Sequence, residues 1–318
     1  MNVGPFDREA AIRPKMRTDL RFFPWESKCY NSGMMVAKPM EEPQDRRPPG
    51  PDLLLPGAAL AFAAERRLAE RIAGGGPTAV FVWTAPPTFV FGAQDVKETA
   101  GRRAARQVLA EYRAAGLVRP SGGRLVPIDP GVVNLAWIGP TRGPLATIEG
   151  AFRWAAERLQ DFFRRFGLSV AFGEVEGAFC PGRYDGAVFG KKIVGLAQRR
   201  WRGAAAVEAF VLVAGTGAER AERAAAFYRL AGGPVVRPER MGALAEWRDL
   251  KDEVGIRAAA AALLSAFVAG TDECVRAGTL SAVLGPDGVS ALHPFVRALV
   301  AESRARLGLG GAEGGAGG

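Results

Sequence analysis

Ala187-Val-Phe-Gly-Lys-Lys-Ile-Val-Gly-Leu-Ala-Gln198 and, a few residues on, Ala206-Val-Glu-Ala-Phe-Val-Leu-Val213 decide how this chain folds. Both are short runs of β-branched, aromatic and aliphatic residues, and they predict strands at 187–189, 193–198 and 206–213. Working outward, Ala58–Ile72 has helical spacing and stops at Gly74-Gly-Gly-Pro77. Ala79–Trp83 and Thr88–Phe91 read as strands parted by Pro86-Pro87, and a helix follows from about Arg102 to Ala115. Leu125–Ile128 and Val132–Ile138 are strand-like, Leu145–Phe166 is a long amphipathic helix, and Leu168–Phe172 is again a strand. The stretch from Glu219 to about Leu307 reads as mostly helical. Strands come in neighbouring groups with helices between the groups, not in strict βαβ alternation. That predicts an α+β fold, a mixed β-sheet flanked by helices with a helical C-terminal segment.

The 318 residues and 48% hydrophobic content allow a sizeable core. Residues 1–52, with the Pro- and charge-rich Glu41–Pro51, read as a flexible leader, in which Met16, Met34 and Met35 are alternative starts. Residues 53–241 are expected to form the catalytic domain, 242–308 a helical segment and 309–318 a Gly-rich disordered tail. The absence of an apolar leader or spanning segment predicts a soluble, cytoplasmic protein without membrane attachment.

The formal charge of +9 suits an acidic protein partner, and the scattered basic residues lack any nucleic-acid-binding signature. Cys29, Cys180 and Cys274 are too far apart for a disulfide scaffold or a Cys-x-x-Cys metal site. The single histidine, His293, excludes a His-based zinc site, so no metal is expected and acid–base work falls to lysine or carboxylates.

Three segments carry the chemistry. Arg119-Pro-Ser-Gly-Gly123, followed by Asp129 and Asn134, pairs glycines that let backbone approach a ligand. Phe179-Cys-Pro-Gly-Arg-Tyr-Asp185 sets a cysteine at a turn, where a thiol is either a small buried hydrophobe or a reactive group. Gly190-Lys-Lys-Ile-Val-Gly-Leu-Ala-Gln198 is either a solvated hairpin or brings a lysine into a pocket, where it can donate to an acyl oxygen.

Taken jointly, the segments resemble the lipoate/biotin protein ligase superfamily from about Leu53 to Met241. Arg119–Gly123 is similar to the family's Arg-Arg-Ser-Gly-Gly-Gly, and Gly190–Ala197 to its Gly-Lys-Lys-Phe-Ala-Gly-Ser-Ala. Cys180-Pro-Gly-Arg-Tyr-Asp185, then Gly190-Lys-Lys-Ile-Val-Gly-Leu-Ala-Gln-Arg-Arg200, resemble most the branch of octanoyl-(glycine cleavage H protein):protein octanoyltransferases. The resemblance implies a biotin/lipoate ligase-like fold and an acyltransferase that moves an octanoyl or lipoyl group between carrier lysines. It implies Cys180 as the thioester-forming nucleophile and Lys192 as the pocket lysine that raises its thiolate fraction. Arg119, Ser121, Gly122, Gly123, Asp129, Asn134, Gly195, Ala197 and Gln198 are the implied substrate-binding residues. The implied partners are lipoyl-domain carriers: the glycine cleavage H protein and E2 subunits of 2-oxoacid dehydrogenases.

Because the acyl link is conserved, such a transfer needs no ATP and no cofactor. The sequence departs from the family at Arg124, where ligases have a small residue, at Pro127, and at Glu208, where relatives often have Gln or His. Alternatives on the same fold are transfer from acyl carrier protein by the same cysteine, an ATP-dependent lipoate ligase, and a catalytically inactive carrier-binding module. A basic nucleic-acid-binding protein is the alternative from another class. Formation of an acyl-enzyme separates these.

Overall fold

The computed structural model describes residues 56–269, 275–284 and 288–309. The expected leader, most of the expected tail, Cys29 and Cys274 lie outside the described residues.

Chain order runs α1 (Pro56–Ala73), β1 (Thr78–Trp83), β2 (Thr88–Phe91), α2 (Thr99–Glu111), β3 (Ala115–Val118), β4 (Val126–Ile128) and β5 (Val132–Pro140). It continues with α3 (Ile148–Arg165), β6 (Ala171–Phe172), β7 (Gly186–Val188), β8 (Lys191–Trp201), β9 (Ala204–Leu212) and α4 (Gly217–Ala231). The remainder is α5 (Glu253–Val268), β10 (Val275–Thr279), α6 (Leu280–Leu284) and α7 (His293–Leu307). A large sheet has the order β10-β1-β5-β9-β8-β7-β6, antiparallel throughout except for β1 with β10. A small sheet of order β3-β2-β4 pairs β2 parallel to β3 and antiparallel to β4. The expected α+β architecture with a mixed sheet is present.

β9 is central and buried along its whole length. Its alternating side chains serve two layers. Ala204 and Ala206 pack with Ala61, Ala64 and Leu68 of α1, whereas Val207, Ala209 and Val211 join the core of α3 and α5. Alternation therefore sends Glu208, like Ala206, toward α1. Below the sheet, Trp137 of β5 meets Trp154 of α3 with ring centroids 4.7 Å apart, and both rings touch Phe267 of α5. Side-chain caps begin three of the helices: Thr147 on α3, Thr216 on α4 and Asp252 on α5 each accept a first-turn amide.

The sequence reading departs from the structure at three places. Ala115–Val118, read partly as helix end, is the strand β3. Of Leu168–Phe172 only Ala171–Phe172 pairs, at the sheet edge. The C-terminal part, read as helical, also supplies β10 beside β1. Among the described residues, no helix is long and apolar enough to cross a membrane.

Candidate active site

Cys180 sits in the segment between β6 and β7 and has φ +47°, a left-handed conformation that a residue with a Cβ adopts only under constraint. The constraint is Lys192, the second residue of β8. Its ammonium donates to the carbonyl of Phe179 at 3.0 Å and to that of Cys180 at 2.5 Å, and pairs with Asp185 Oδ1 at 2.8 Å. Asp185 Oδ2 in turn accepts the Gly182 amide at 3.1 Å, closing the Cys-Pro-Gly turn on itself. Both members of the ion pair are shut off from water, at 0% and 2% side-chain exposure. Burial pushes the Asp185 carboxyl above its ordinary range, against the pull of Lys192. The ammonium also lies about 6 Å from the ring centroids of both Phe179 and Phe210.

Lys192 is thus placed beneath the backbone of the cysteine turn. The donors at the sulfur are different groups: Arg119 Nη2 and the Arg124 amide each lie 3.3 Å from Sγ. Arg119 Nη2 also donates to the Arg124 carbonyl at 2.5 Å, so one guanidinium ties the loop 119–124 to the thiol. Gly123, at φ +99°, permits this contact; a Cβ there would stand 2.4 Å from Arg119 Nη2 and 3.2 Å from the sulfur. The loop is braced from behind. The Leu125 amide donates to the Tyr228 hydroxyl, which donates to Asp95, and Asp95 also accepts the Gly92 amide. Arg124, the departure noted in the sequence, pairs with Asp95 at 3.6 Å.

The thiol opens on a cleft of ≈ 530 Å³, open to solvent at its mouth, between the large sheet, the small sheet and α1. Phe62, Trp83, Val90, Leu196 and Phe210 give it apolar walls. Gly195 is required on its floor, because a Cβ would fall 2.2 Å from the Phe210 ring. Arg119, Cys180, Asn134, Gly195 and Ala197 all line this cleft. Ser121 borders it through a 2.6 Å hydrogen bond to Glu208, while Gly122 and Gly123 continue the Arg119 loop. Asn134 is oriented by weak amide bonds to the Trp83 and Val132 carbonyls.

Two of the expected binding residues are engaged elsewhere. Asp129 holds Arg220 through both oxygens, pairs with Arg223 and caps the Gly131 amide, which fixes the turn before β5 against α4. Gln198 donates to the Ile148 carbonyl at the start of α3.

Glu65 and Glu208 were not among the expected site residues, yet both line the cleft. They are buried together, and desolvation first, then each other's proximity, raises the Glu65 carboxyl well above the ordinary range. Burial raises Glu208 as well, while Ser121 and Arg119 oppose the shift. Among the described residues, no group of three or more His, Cys, Asp and Glu side chains is placed to hold a metal ion.

A buried lysine–aspartate pair thus holds a cysteine at the mouth of an apolar-walled cleft between two sheets. The chain belongs to the family of the lipoyl protein ligase A/B catalytic domain, whose model matches residues 57–268. Among its relatives are the octanoyl-GcvH:protein N-octanoyltransferase of Geobacillus kaustophilus, 36% identical over 54% of this chain and 61% of that protein, and the lipoyl-GcvH:protein N-lipoyltransferase of Listeria monocytogenes, 30% identical over 59% of this chain and 71% of that one. The alignment with the Geobacillus protein thus spans less than two thirds of its length. A crystal structure of lipoate-protein ligase A bound with ATP has the same fold, with a TM-score of 0.57 over 81% of this chain and 98% of that one, at 18% identity.

Proposed function

We propose that this protein is an acyltransferase of protein lipoylation, moving an octanoyl or lipoyl group from the lysine of one carrier domain to that of another through a thioester on Cys180. The observation that carries the reading is the left-handed cysteine turn, pinned by Lys192 and Asp185, with its sulfur on the apolar-walled cleft and two donors against it. The resemblance of the Cys180 and Lys192 segments to the octanoyltransferase branch and the names of the relatives agree with it.

In the first half-reaction the Cys180 sulfur attacks the acyl amide of the donor lysine. The carbonyl carbon–nitrogen bond breaks, the proton lost by the thiol is the one the departing amine gains, and a thioester remains. In the second, the acceptor amine attacks the thioester, the new amide forms and the thiol is restored. Splitting the transfer in two replaces amine attack on a poor electrophile by amine attack on a better one. Arg119 and the Arg124 amide are charged and neutral donors to the sulfur when it is anionic. Lys192 acts at one remove, by holding the peptide carbonyls on either side of the Cys180 Cα so that Sγ meets those donors. The apolar walls receive the acyl chain, each buried methylene contributing about 0.8 kcal/mol.

The donor and acceptor would be lipoyl-domain carriers such as the glycine cleavage H protein and E2 subunits, attracted by the +9 formal charge if acidic. In this reading the protein acts in the cytoplasm. Intact-mass measurement tests the proposal. Incubation with an octanoylated carrier should add one octanoyl group at Cys180, and octanoate with ATP should add none. An adduct on another residue, or formation of octanoyl-adenylate, would overturn it.

A further inference from the structure

The acyl cleft is apolar along Phe62, Trp83, Val90 and Phe210, but Glu65 and Glu208 interrupt it. Neither takes part in the transfer chemistry above. Both are more than nine-tenths buried, at 1% and 9% exposure. The two carboxyls hydrogen-bond to each other, the Ser121 hydroxyl donates to Glu208, and the Arg199 guanidinium lies close enough to act on both charges, yet Glu65 Oε2 and Glu208 Oε1 receive no hydrogen bond from any other group among the described residues. Two neighbouring carboxyls in so dry a place do not both ionise, so they hold one proton between them. That single O–H lies between the two carboxyls, and their remaining acceptor positions face a mostly apolar cleft unfilled. Buried acceptors without donors are costly, and a ligand that supplies a donor removes that cost.

The register places this pair relative to the thiol. Glu208 lies opposite Ala197 on β8. Ala197 is five residues beyond Lys192, whose ammonium grips the Cys180 carbonyl, a separation of roughly 16 Å at the rise of a strand. The cysteine and glutamate side chains span part of that distance. Ser121, bonded to Glu208, stands only three residues before Arg124, whose amide touches the sulfur. An extended eight-carbon acyl chain, with C–C bonds of about 1.5 Å, reaches roughly 9 Å. The far end of an acyl group anchored on Cys180 therefore arrives in the neighbourhood of the two carboxyls.

We infer that Glu65 and Glu208 form a specificity-determining subsite that favours acyl groups carrying a hydrogen-bond donor, such as a hydroxyl, at the end remote from the thioester. The inference rests on Cys180 as the acyl carrier, and the two are separated by experiment. Calorimetric titration of the wild-type protein should show 8-hydroxyoctanoate binding about tenfold more tightly than octanoate. The double variant Glu65→Leu/Glu208→Leu, if folded by circular dichroism, should reverse the order. Equal or weaker binding of the hydroxy acid by the wild type, or an unchanged preference in the variant, would overturn the subsite. If the double variant does not fold, the wild-type ratio and the isosteric Glu65→Gln protein decide it, the latter by a reduced preference. Octanoyl and 8-hydroxyoctanoyl thioesters of a small thiol, followed by intact mass, test the carrier role. If neither labels Cys180, that role fails while the affinity ratio still judges the subsite.

Discussion

Two buried pairs of ionisable side chains bear on the Cys180 cleft, one beneath the cysteine turn and one in the lining, and their electrostatics are opposed. Near the thiol, Lys192 and Asp185 carry opposite charges, and the ammonium spends all three donors on Asp185 and two backbone carbonyls. Further along, Glu65 and Glu208 carry like groups that share a hydrogen bond, with the Ser121 hydroxyl as the one further donor given to either and Arg199 as a nearby cation. The first pair is closed and fixes a backbone shape. The second has more acceptor positions than donors, and these are the positions that a ligand of the proposed subsite would fill. Burial alone therefore does not mark a functional group here; what separates the two is whether the polar valences are filled. Arg119 stands between them, touching the Cys180 sulfur while its charge opposes the raised pKa of Glu208.

The largest effect is expected at the group that the closed pair serves. Cys180→Ala should abolish the acyl-enzyme and carrier-to-carrier transfer, with a thermal midpoint near that of the wild type because the residue is only half-buried. Retained transfer would detach the chemistry from the turn altogether.

Breaking the closed pair comes next. Lys192→Ala leaves the Asp185 carboxyl buried without its counter-ion and releases the Phe179 and Cys180 carbonyls, so unfolding in denaturant should show a loss of about 3–5 kcal/mol. Lys192→Met combined with Asp185→Leu should recover most of that stability without recovering activity, because the left-handed Cys180 loses its anchor. A stable and active double variant would show that the pair does not position the thiol.

Much of this arrangement was legible in the residues. The aliphatic runs of β8 and β9 and the joint spacing of Cys180, Lys192 and the Arg119 loop brought the right segments together. β3 escaped because Ala115-Gly-Leu-Val118 follows an Ala-rich helix without a change of composition. β10, Val275-Arg-Ala-Gly-Thr279, is short and weakly apolar, and its place is set by parallel pairing with β1, a tertiary contact that local propensity does not encode. Glu65 lies within Ala-Glu-Arg-Arg-Leu-Ala-Glu-Arg, which has the composition of a solvated helix face. The signal was present in its phase: Glu65 falls three residues from both Phe62 and Leu68, on the apolar stripe that continues to Ile72. The contact of Lys192 with backbone, rather than with sulfur, was not readable, because it depends on how the 175–185 segment curls.

The carboxyl pair makes stability depend on pH in a direction set by Glu65. Its folded carboxyl titrates above its ordinary value of 4.5, so the native state holds a proton that the unfolded chain has released. The contribution is full below that value and is lost as pH rises toward the folded pKa, with a slope of at most about 1.4 kcal/mol per pH unit. Glu65→Gln removes the titrating group, so the difference in unfolding free energy between variant and wild type should move in favour of the variant from pH 5 upward. A pH-independent difference would mean that the two carboxyls do not share a proton.

The smallest effect belongs to Arg119, and it tells the two cations of the site apart. Arg119 Nη2 bridges the Arg124 carbonyl and the Cys180 sulfur, whereas Lys192 reaches only carbonyls and a carboxylate on the turn itself. If the sulfur's reactivity depends on a cation in contact with it, Arg119→Gln should slow iodoacetamide labelling of Cys180 about three- to tenfold at a fixed neutral pH, the loss of one charge-assisted bond. Arg119→Lys keeps the charge but lacks the flat fork that serves two acceptors at once, so it should restore only part of the rate. Labelling has to be compared in proteins with matching circular dichroism, since the same guanidinium also ties down the 119–124 loop. Should Arg119→Gln label at the wild-type rate while a folded Lys192 variant labels slowly, the sulfur would take its activation from beneath the turn, and the closed pair would be acting on the chemistry as well as on the shape.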